Sequence, residues 1–322
     1  MTRGRAYYLI AVSRREHLER CLEYGWAGFT NSINGLWAFL DVEVGDYVSF
    51  LYGAHILNLY EVADKIAYRN AKNLPPWPPI HFRESGREYY FPFRLKLRRI
   101  RSLNESLIRP EFNYVAQNLL LRGGYRKSHF QSDSVSLSVV SQMGTFSPED
   151  PKVGDFGGDM FQPKITFVNA KVREPEVYLF KENILQTLVK KKLHEIIGDI
   201  LDRLGSHDDP REYEFLSERA LMEGHVDIFA KLRNPIGRIG AIPVEVKKGR
   251  VSRGHVRQIE KYLEELEEDA IGGVLVGKDF PDTLRSHRKI IFISYSFAGL
   301  DPAEDPYDYD DLLESLHLEI LR

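Results

Sequence analysis

The chain has 322 residues, a net charge of −3, 43% hydrophobic and 28% charged residues, and one cysteine, Cys21. That length is enough for two cores without covalent or metal staples, and a lone cysteine excludes an internal disulfide framework and a cysteine-based zinc site. No apolar run reaches the roughly 18–20 residues of a membrane helix, so no membrane partner is expected.

Met1 to Arg5 lead directly into the strand-like run Tyr7–Val12 without an apolar leader, and the expected location is the cytoplasm. A helix is predicted over Arg14–Tyr24, with Ser13 as its N-cap and Glu16 at the capping-box position. Further β-like runs follow at Tyr47–Tyr52 and Tyr89–Arg98. These elements predict a mixed, small β-barrel-like domain over residues 1–146. This half carries 19 Lys and Arg against 13 Asp and Glu, a net +6. Its densest basic stretch, Arg94, Lys96, Arg98, Arg99 and Arg101, reads either as a phosphate-contacting surface or as a solvated strand face.

Between Met143 and Asp159 the apolar periodicity gives way to a Gly/Pro/Asp-rich passage, which predicts a linker over residues 147–175. A long helix is then predicted at about Leu179–Leu204, strands around Ala220–Ala230 and Ile239–Lys247, and a helix at about Ser252–Glu267. Two more β runs follow, Gly272–Val276 and Lys289–Ser294. This order predicts an α/β domain with a central mixed sheet over residues 176–300. Residues 147–322 hold 25 Lys and Arg against 34 Asp and Glu, a net −9. Part of that excess lies in residues 301–322, which read as an acidic tail ending in an amphipathic stretch, Leu312–Leu321.

Chemistry concentrates in the second half. In Val244-Glu245-Val246-Lys247 the side chains of a strand alternate, so the valines share one face while Glu245 and Lys247 emerge on the other. Asp227 interrupts the otherwise apolar Val226-Asp227-Ile228-Phe229 run, and a hairpin would bring it beside Glu245. Two carboxylates can hold Mg²⁺, which takes few protein ligands, and Lys247 can orient an attacking water and stabilise developing negative charge. The alternative is a turn-capping Asp227 with Glu245 and Lys247 as a surface pair.

The order Gly-X-X-Asp, strand, Glu-X-Lys, then a helix bearing Gln258 and Tyr262 resembles the PD-(D/E)XK nuclease superfamily, including its NucS-like (EndoMS) and restriction-type members, over about 120 residues. The resemblance implies Mg²⁺, with Mn²⁺ as a substitute, held by Asp227 and Glu245. It also implies Lys247 assisting the water and Gln258 supporting the site or the DNA backbone. Members often carry a further acid on the first helix, and here Glu182 and Glu195 compete. At 100° per residue Glu182 shares the face of Leu185, Val189, Leu193, Ile196 and Ile200, whereas Glu195 lies about 140° away. His225 and His255 flank the motif and read as structural or phosphate-contacting.

In the first half, Tyr7–Ser13, the helix after it, the Gly25-Trp26 turn and Val44-Gly45-Asp46-Tyr47-Val48-Ser49-Phe50 resemble YTH and EVE domains of the PUA-like superfamily, over about residues 5–140. That resemblance implies a modified base flipped into an aromatic cage. Trp26 is expected as the first cage wall and Trp77 as the second, with Trp37 as the alternative. Asn31 or Asn34 would read the base edge, and Arg94, Lys96, Arg98 and Arg99 would hold the DNA backbone.

Together the halves imply a modification-dependent endonuclease acting on double-stranded DNA, with N6-methyladenine favoured as the mark. Double-strand cleavage would use a homodimer. The alternatives are a structure-specific or mismatch repair endonuclease, and a non-catalytic nucleic-acid-binding protein.

Overall fold

The computed structural model describes residues 4–53, 55–82, 86–103, 128–281 and 287–321. It is a mixed α+β structure. In the first half, β1 (Tyr7–Ala11), β2 (Trp26–Phe29), β3 (Tyr47–Tyr52), β4 (His55–Ala67), β7 (Phe93–Ser102) and β8 (His129–Ser132) form one sheet in the order β2-β7-β4-β3-β1-β8. A ninth strand, β9 (Thr145–Glu149), pairs with β7, while β5 (Ile80–Phe82) and β6 (Arg87–Tyr89) make a separate hairpin. The pairing of β1 with β3 is parallel; the other pairings are antiparallel.

Helix α1 (Arg15–Tyr24) starts one residue later than predicted. Its N-cap is Arg14, with no side-chain cap bond, and Gly25 ends it in the left-handed conformation at φ 71°. Helix α2 (Ile33–Asp41) is capped by Ser32, whose hydroxyl accepts from Gly35 N. Its near-continuous apolar run is buried on almost every side because it lies beneath the long helix of the second half. A third helix, α3 (Ser134–Gln142), is capped by Asp133.

Helix α4 (Glu182–Leu204) opens the second half's core and covers one face of a six-stranded sheet ordered β12-β13-β14-β15-β16-β18. Its members are β12 (Tyr213–Leu221), β13 (Gly224–Leu232), β14 (Ile242–Val246), β15 (Gly273–Gly277), β16 (Ile290–Phe297) and β18 (Leu316–Ile320). Strands β12 to β14 form an antiparallel meander, and β14, β15 and β16 run parallel. Helix α5 (Arg253–Leu266) packs on β14 and β15, burying Val256, Ile259 and Tyr262. The meander has one more strand than predicted. In β12 the buried residues include Glu214, Ser217 and Arg219, which break the apolar pattern a strand ordinarily shows.

Two expectations about the connections are corrected. The first part of residues 147–175, up to Phe161, is a strap on the first sheet: Trp26 Nε1 donates to Val153 O (2.9 Å), Tyr68 donates to Asp155, Arg69 pairs with Asp159 (2.6 Å), Phe156 packs on Trp26 and Phe161 N donates to Ala67 O. Composition signalled a linker because these partners lie far away in sequence. Residues 301–321 are likewise not a free tail. Strand β10 (Lys164–Thr166) pairs with β11 (Val177–Leu179) and with β17 (Tyr307–Asp308), after which helix α6 (Tyr309–Ser315) leads into β18 on the edge of the main sheet. The expected amphipathic Leu312–Leu321 is therefore split, and Leu-His-Leu-Glu-Ile follows a strand's period of two.

One hydrophobic cluster runs from Tyr8 and Trp26 through Leu188 and Val244 to Leu316, crossing the boundary expected near residue 146. A buried polar network accompanies it. Lys190 of α4 meets Asp41 of α2 at 2.5 Å and donates to Gln131 (2.7 Å), Ser217 (2.7 Å) and Tyr8 (3.2 Å). Among the described residues no helix is long and apolar enough to cross a membrane.

Candidate functional site

Strands β13 and β14 pair only over Ile228–Ala230 and Ile242–Val244, then separate. Asp227 stands where they part, opposite a break in the β12 register at Glu218, whose φ is +51°. Its Oδ2 accepts from Val246 N at 2.8 Å, so the carboxylate takes the place of a ladder carbonyl. The polar interruption of an apolar strand thus marks the point where the sheet opens.

Four charged side chains meet at this opening. Lys247 Nζ lies 2.7 Å from Glu245 Oε1, 3.3 Å from Glu182 Oε1 and 3.7 Å from Asp227 Oδ2. Glu182 is the first residue of α4, a favourable place for an acid, and its Oε2 accepts from Lys248 N at 3.1 Å. Glu195 is elsewhere, exposed and paired with Lys192 (3.1 Å). Of the two helix acids considered, only Glu182 lies within ion-pair distance of Lys247.

Burial decides the electrostatics. Glu245 is 1% exposed, and its Oε2 is buried without a hydrogen-bond partner. Burial, aided by Glu245, pushes the Asp227 carboxyl well above its usual range; burial also raises Glu245 against the pull of Lys247. Burial alone would lower the pKa of Lys247, but Asp227, Glu245 and Glu182 outweigh it and hold the ammonium charged. The site therefore concentrates negative charge that one lysine offsets incompletely.

Asp227 and Glu245 are the residues that could hold a hard divalent cation, and a buried acceptor oxygen without a donor fits that task. Mg²⁺ is held by one or two carboxylates, completing its shell with water and phosphate. Among the described residues, no three His, Cys, Asp or Glu side chains form a ready cation cage, and Lys247 Nζ lies within 3.7 Å of all three carboxylates at the opening.

One further residue had no place in the sequence reading. Gln186, one turn beyond Glu182, is 8% exposed and donates from Nε2 to Asp227 Oδ1 at 2.7 Å; its Oε1 is buried and unpartnered. A polar residue within the apolar face of Leu185 and Val189 was the available signal. Tyr262 donates to His225 O (3.0 Å) and accepts from Gln258 Nε2 (2.7 Å), so Gln258 is fixed through Tyr262. His255 completes the capping box with Ser252, its Nδ1 accepting from Ser252 N, and burial and nearby Lys247 lower its pKa.

The residues expected to read a base lie differently. Trp26 is 0% exposed, closed by Phe156 and by its bond to Val153 O. Trp77 is buried and donates to His17 O at 3.3 Å. The expectation of Trp26 and Trp77 as open cage walls is corrected, since neither ring offers a face to solvent. Trp37 is also buried, edge-on to His129. Asn31 holds the Tyr90 backbone, with Oδ1 accepting from Tyr90 N at 3.1 Å, whereas Asn34 is exposed.

Arg94 is corrected as well. It is 0% exposed, its guanidinium lying 5.1–5.4 Å from the ring centroids of Tyr68, Trp77 and Phe156 and donating to Phe91 O and Pro75 O. Lys96 is half-buried. Arg98 pairs with Glu61 and Arg99 with Glu149, so both are already compensated. Comparison with known proteins finds no protein-family model that matches this chain and no curated protein that matches its sequence.

Proposed function

We propose that the chain is a Mg²⁺-dependent nuclease that hydrolyses DNA phosphodiesters at the opening between β13 and β14. The observation that supports this most is the convergence of Asp227, Glu245 and Glu182 on Lys247, with an oxygen of Glu245 buried and unpartnered. The resemblance to PD-(D/E)XK nucleases assigns the same residues. When bound, the cation supplies charge stabilisation at the scissile phosphate and lowers the pKa of an attacking water. Asp227 and Glu245 would hold it, Gln186 and Val246 N keep Asp227 oriented, and Lys247 would position the water and stabilise negative charge developing on phosphorus oxygens. Glu182 keeps the lysine aimed into the opening.

Two substrate readings follow. The resemblance of the first half to YTH and EVE domains favours DNA carrying a modified base, N6-methyladenine before others, with two protomers cutting opposite strands. The burial of Trp26 and Trp77 favours the second reading, a nuclease that selects DNA by its structure. Plasmids that are unmodified, N6-methyladenine-marked or 5-methylcytosine-marked, together with branched duplexes, test both in Mg²⁺ and in EDTA. Cutting confined to marked plasmids supports the first reading, and cutting of branched DNA regardless of marking supports the second. No cutting of any substrate in Mg²⁺ or Mn²⁺ refutes the nuclease.

A further inference from the structure

Several arginines of the first half differ from the basic residues around the catalytic opening in what neutralises them. Arg69 pairs with Asp159 and Glu176, Arg98 with Glu61, and Arg99 with Glu149, while Arg94 is internal. These arginines are balanced within the protein and retain little net field for a polyanion.

The segment leaving β14 is different. From Val246 to Ile259 the chain has five Lys and Arg residues, Lys247, Lys248, Arg250, Arg253 and Arg257, and no Asp or Glu. Lys248, Arg250, Arg253 and Arg257 are exposed, as are Lys181 before α4 and Lys278 after β15. Among the described residues, Lys181, Arg250, Arg253, Arg257 and Lys278 have no ion pair and no side-chain hydrogen bond.

Topology gathers them. Parallel β14 and β15 end side by side, placing Lys248 and Lys278 at neighbouring strand ends, and Lys278 N donates to Gly249 O at 3.2 Å. Lys248 N is bonded to Glu182, which ties the start of the segment to the start of α4 and hence to Lys181. Arg253 and Arg257 follow one turn apart on the exposed first turns of α5. Among the described residues, Asp279 is an exposed acid beside this group, and its backbone carbonyl is taken by Val251 N.

We infer that Lys181, Arg250, Arg253, Arg257 and Lys278 form the surface that holds the DNA backbone, leading it from the start of α5 into the opening at Lys247. The inference rests on the nuclease reading and replaces the first-half arginines as the backbone contact. Uncompensated cations beside a site rich in carboxylates also meet an electrostatic need, since a polyanion must approach three acids.

The test is binding of the full-length protein to a fluorescent DNA duplex in EDTA, titrated with salt, for wild type, Arg250→Gln/Arg253→Gln/Arg257→Gln, and Arg98→Gln/Arg99→Gln. All five positions are at the surface, and circular dichroism checks that each variant folds. The α5-side variant is expected to reduce the magnitude of the slope of log K against log salt by about 2–3, each phosphate contact contributing about 0.9. The Arg98/Arg99 variant is expected to keep the wild-type slope. A slope reduced only in the Arg98/Arg99 variant, or in neither, overturns the inference, as does a wild type that binds no duplex. Mg²⁺-dependent cleavage, measured separately, shows whether the nuclease reading falls with it.

Discussion

Replacing Asp41 by Asn tests what joins the two halves of the molecule. Asp41 is 0% exposed and Lys190 3%, and their charged atoms are 2.5 Å apart. Asp41 Oδ2 also accepts from Ser217 Oγ at 2.9 Å and lies 3.2 Å from His129 Nε2. An Asn side chain keeps the shape but leaves the Lys190 ammonium without its counter-charge and turns an NH₂ group toward other donors. Breaking a buried pair from one side costs about 3–5 kcal/mol, roughly a fifth or more of a typical domain's stability of about 5–15 kcal/mol. Urea denaturation measures it, and adding Lys190→Met should recover much of the loss because no buried charge then remains unpaired. The pH dependence has a definite sign. Burial alone would raise the Asp41 pKa, but Lys190 and His129 outweigh it and hold it below the usual carboxylate range. Its stabilisation is therefore complete above about pH 4 and disappears as the pH falls below that. A loss under about 1 kcal/mol for Asp41→Asn at neutral pH would refute this account of a tightly paired interior charge.

Trp26→Ala should destabilise the protein by about 3–5 kcal/mol as a core truncation, measured by thermal or urea unfolding; a near-neutral change would return Trp26 to the role of an open cage wall. Gln186→Leu should leave the fold intact while weakening Mg²⁺ or Mn²⁺ binding roughly 10–100-fold by calorimetry, because Asp227 loses the donor that orients it. Unchanged affinity would make Gln186 a packing residue. Because Asp227 and Glu245 both titrate above the usual carboxylate range, each retains its proton to higher pH. Cation affinity should therefore rise with pH beyond about pH 4–5, and the apo protein should lose stability over the same rise. An affinity already constant across that range would contradict the raised values.

Local contrast explains which residues were legible in the sequence. Asp227 and the Glu245–Lys247 pair stand out because a charged residue in a β-branched run must either break the strand or face something polar, and both signals lie within a few positions. Gln186 gives the same contrast on α4, and its partner 41 positions later gives it meaning. The first half was harder to read. Trp26 beside Gly25 looks alike as a cage wall or a core residue, and what decides it, Val153 and Phe156, belongs to a segment whose composition resembles a linker. Arg94 shows only its charge in the sequence, whereas three rings and two close backbone carbonyls make it an interior residue. Strand β12 was missed because Glu214 and Ser217 look solvent-facing until Ser134, Lys231, Asp41 and Lys190 are placed around them.

Conversion of supercoiled plasmid and branched DNA to nicked or linear product tests the central claim most directly, with wild type, Asp227→Ala and Lys247→Ala compared in Mg²⁺ and in EDTA. The account predicts cleavage by wild type in Mg²⁺ only, and loss of cleavage in both variants while circular dichroism shows them folded. Cleavage that persists in Asp227→Ala, or in EDTA, would contradict it.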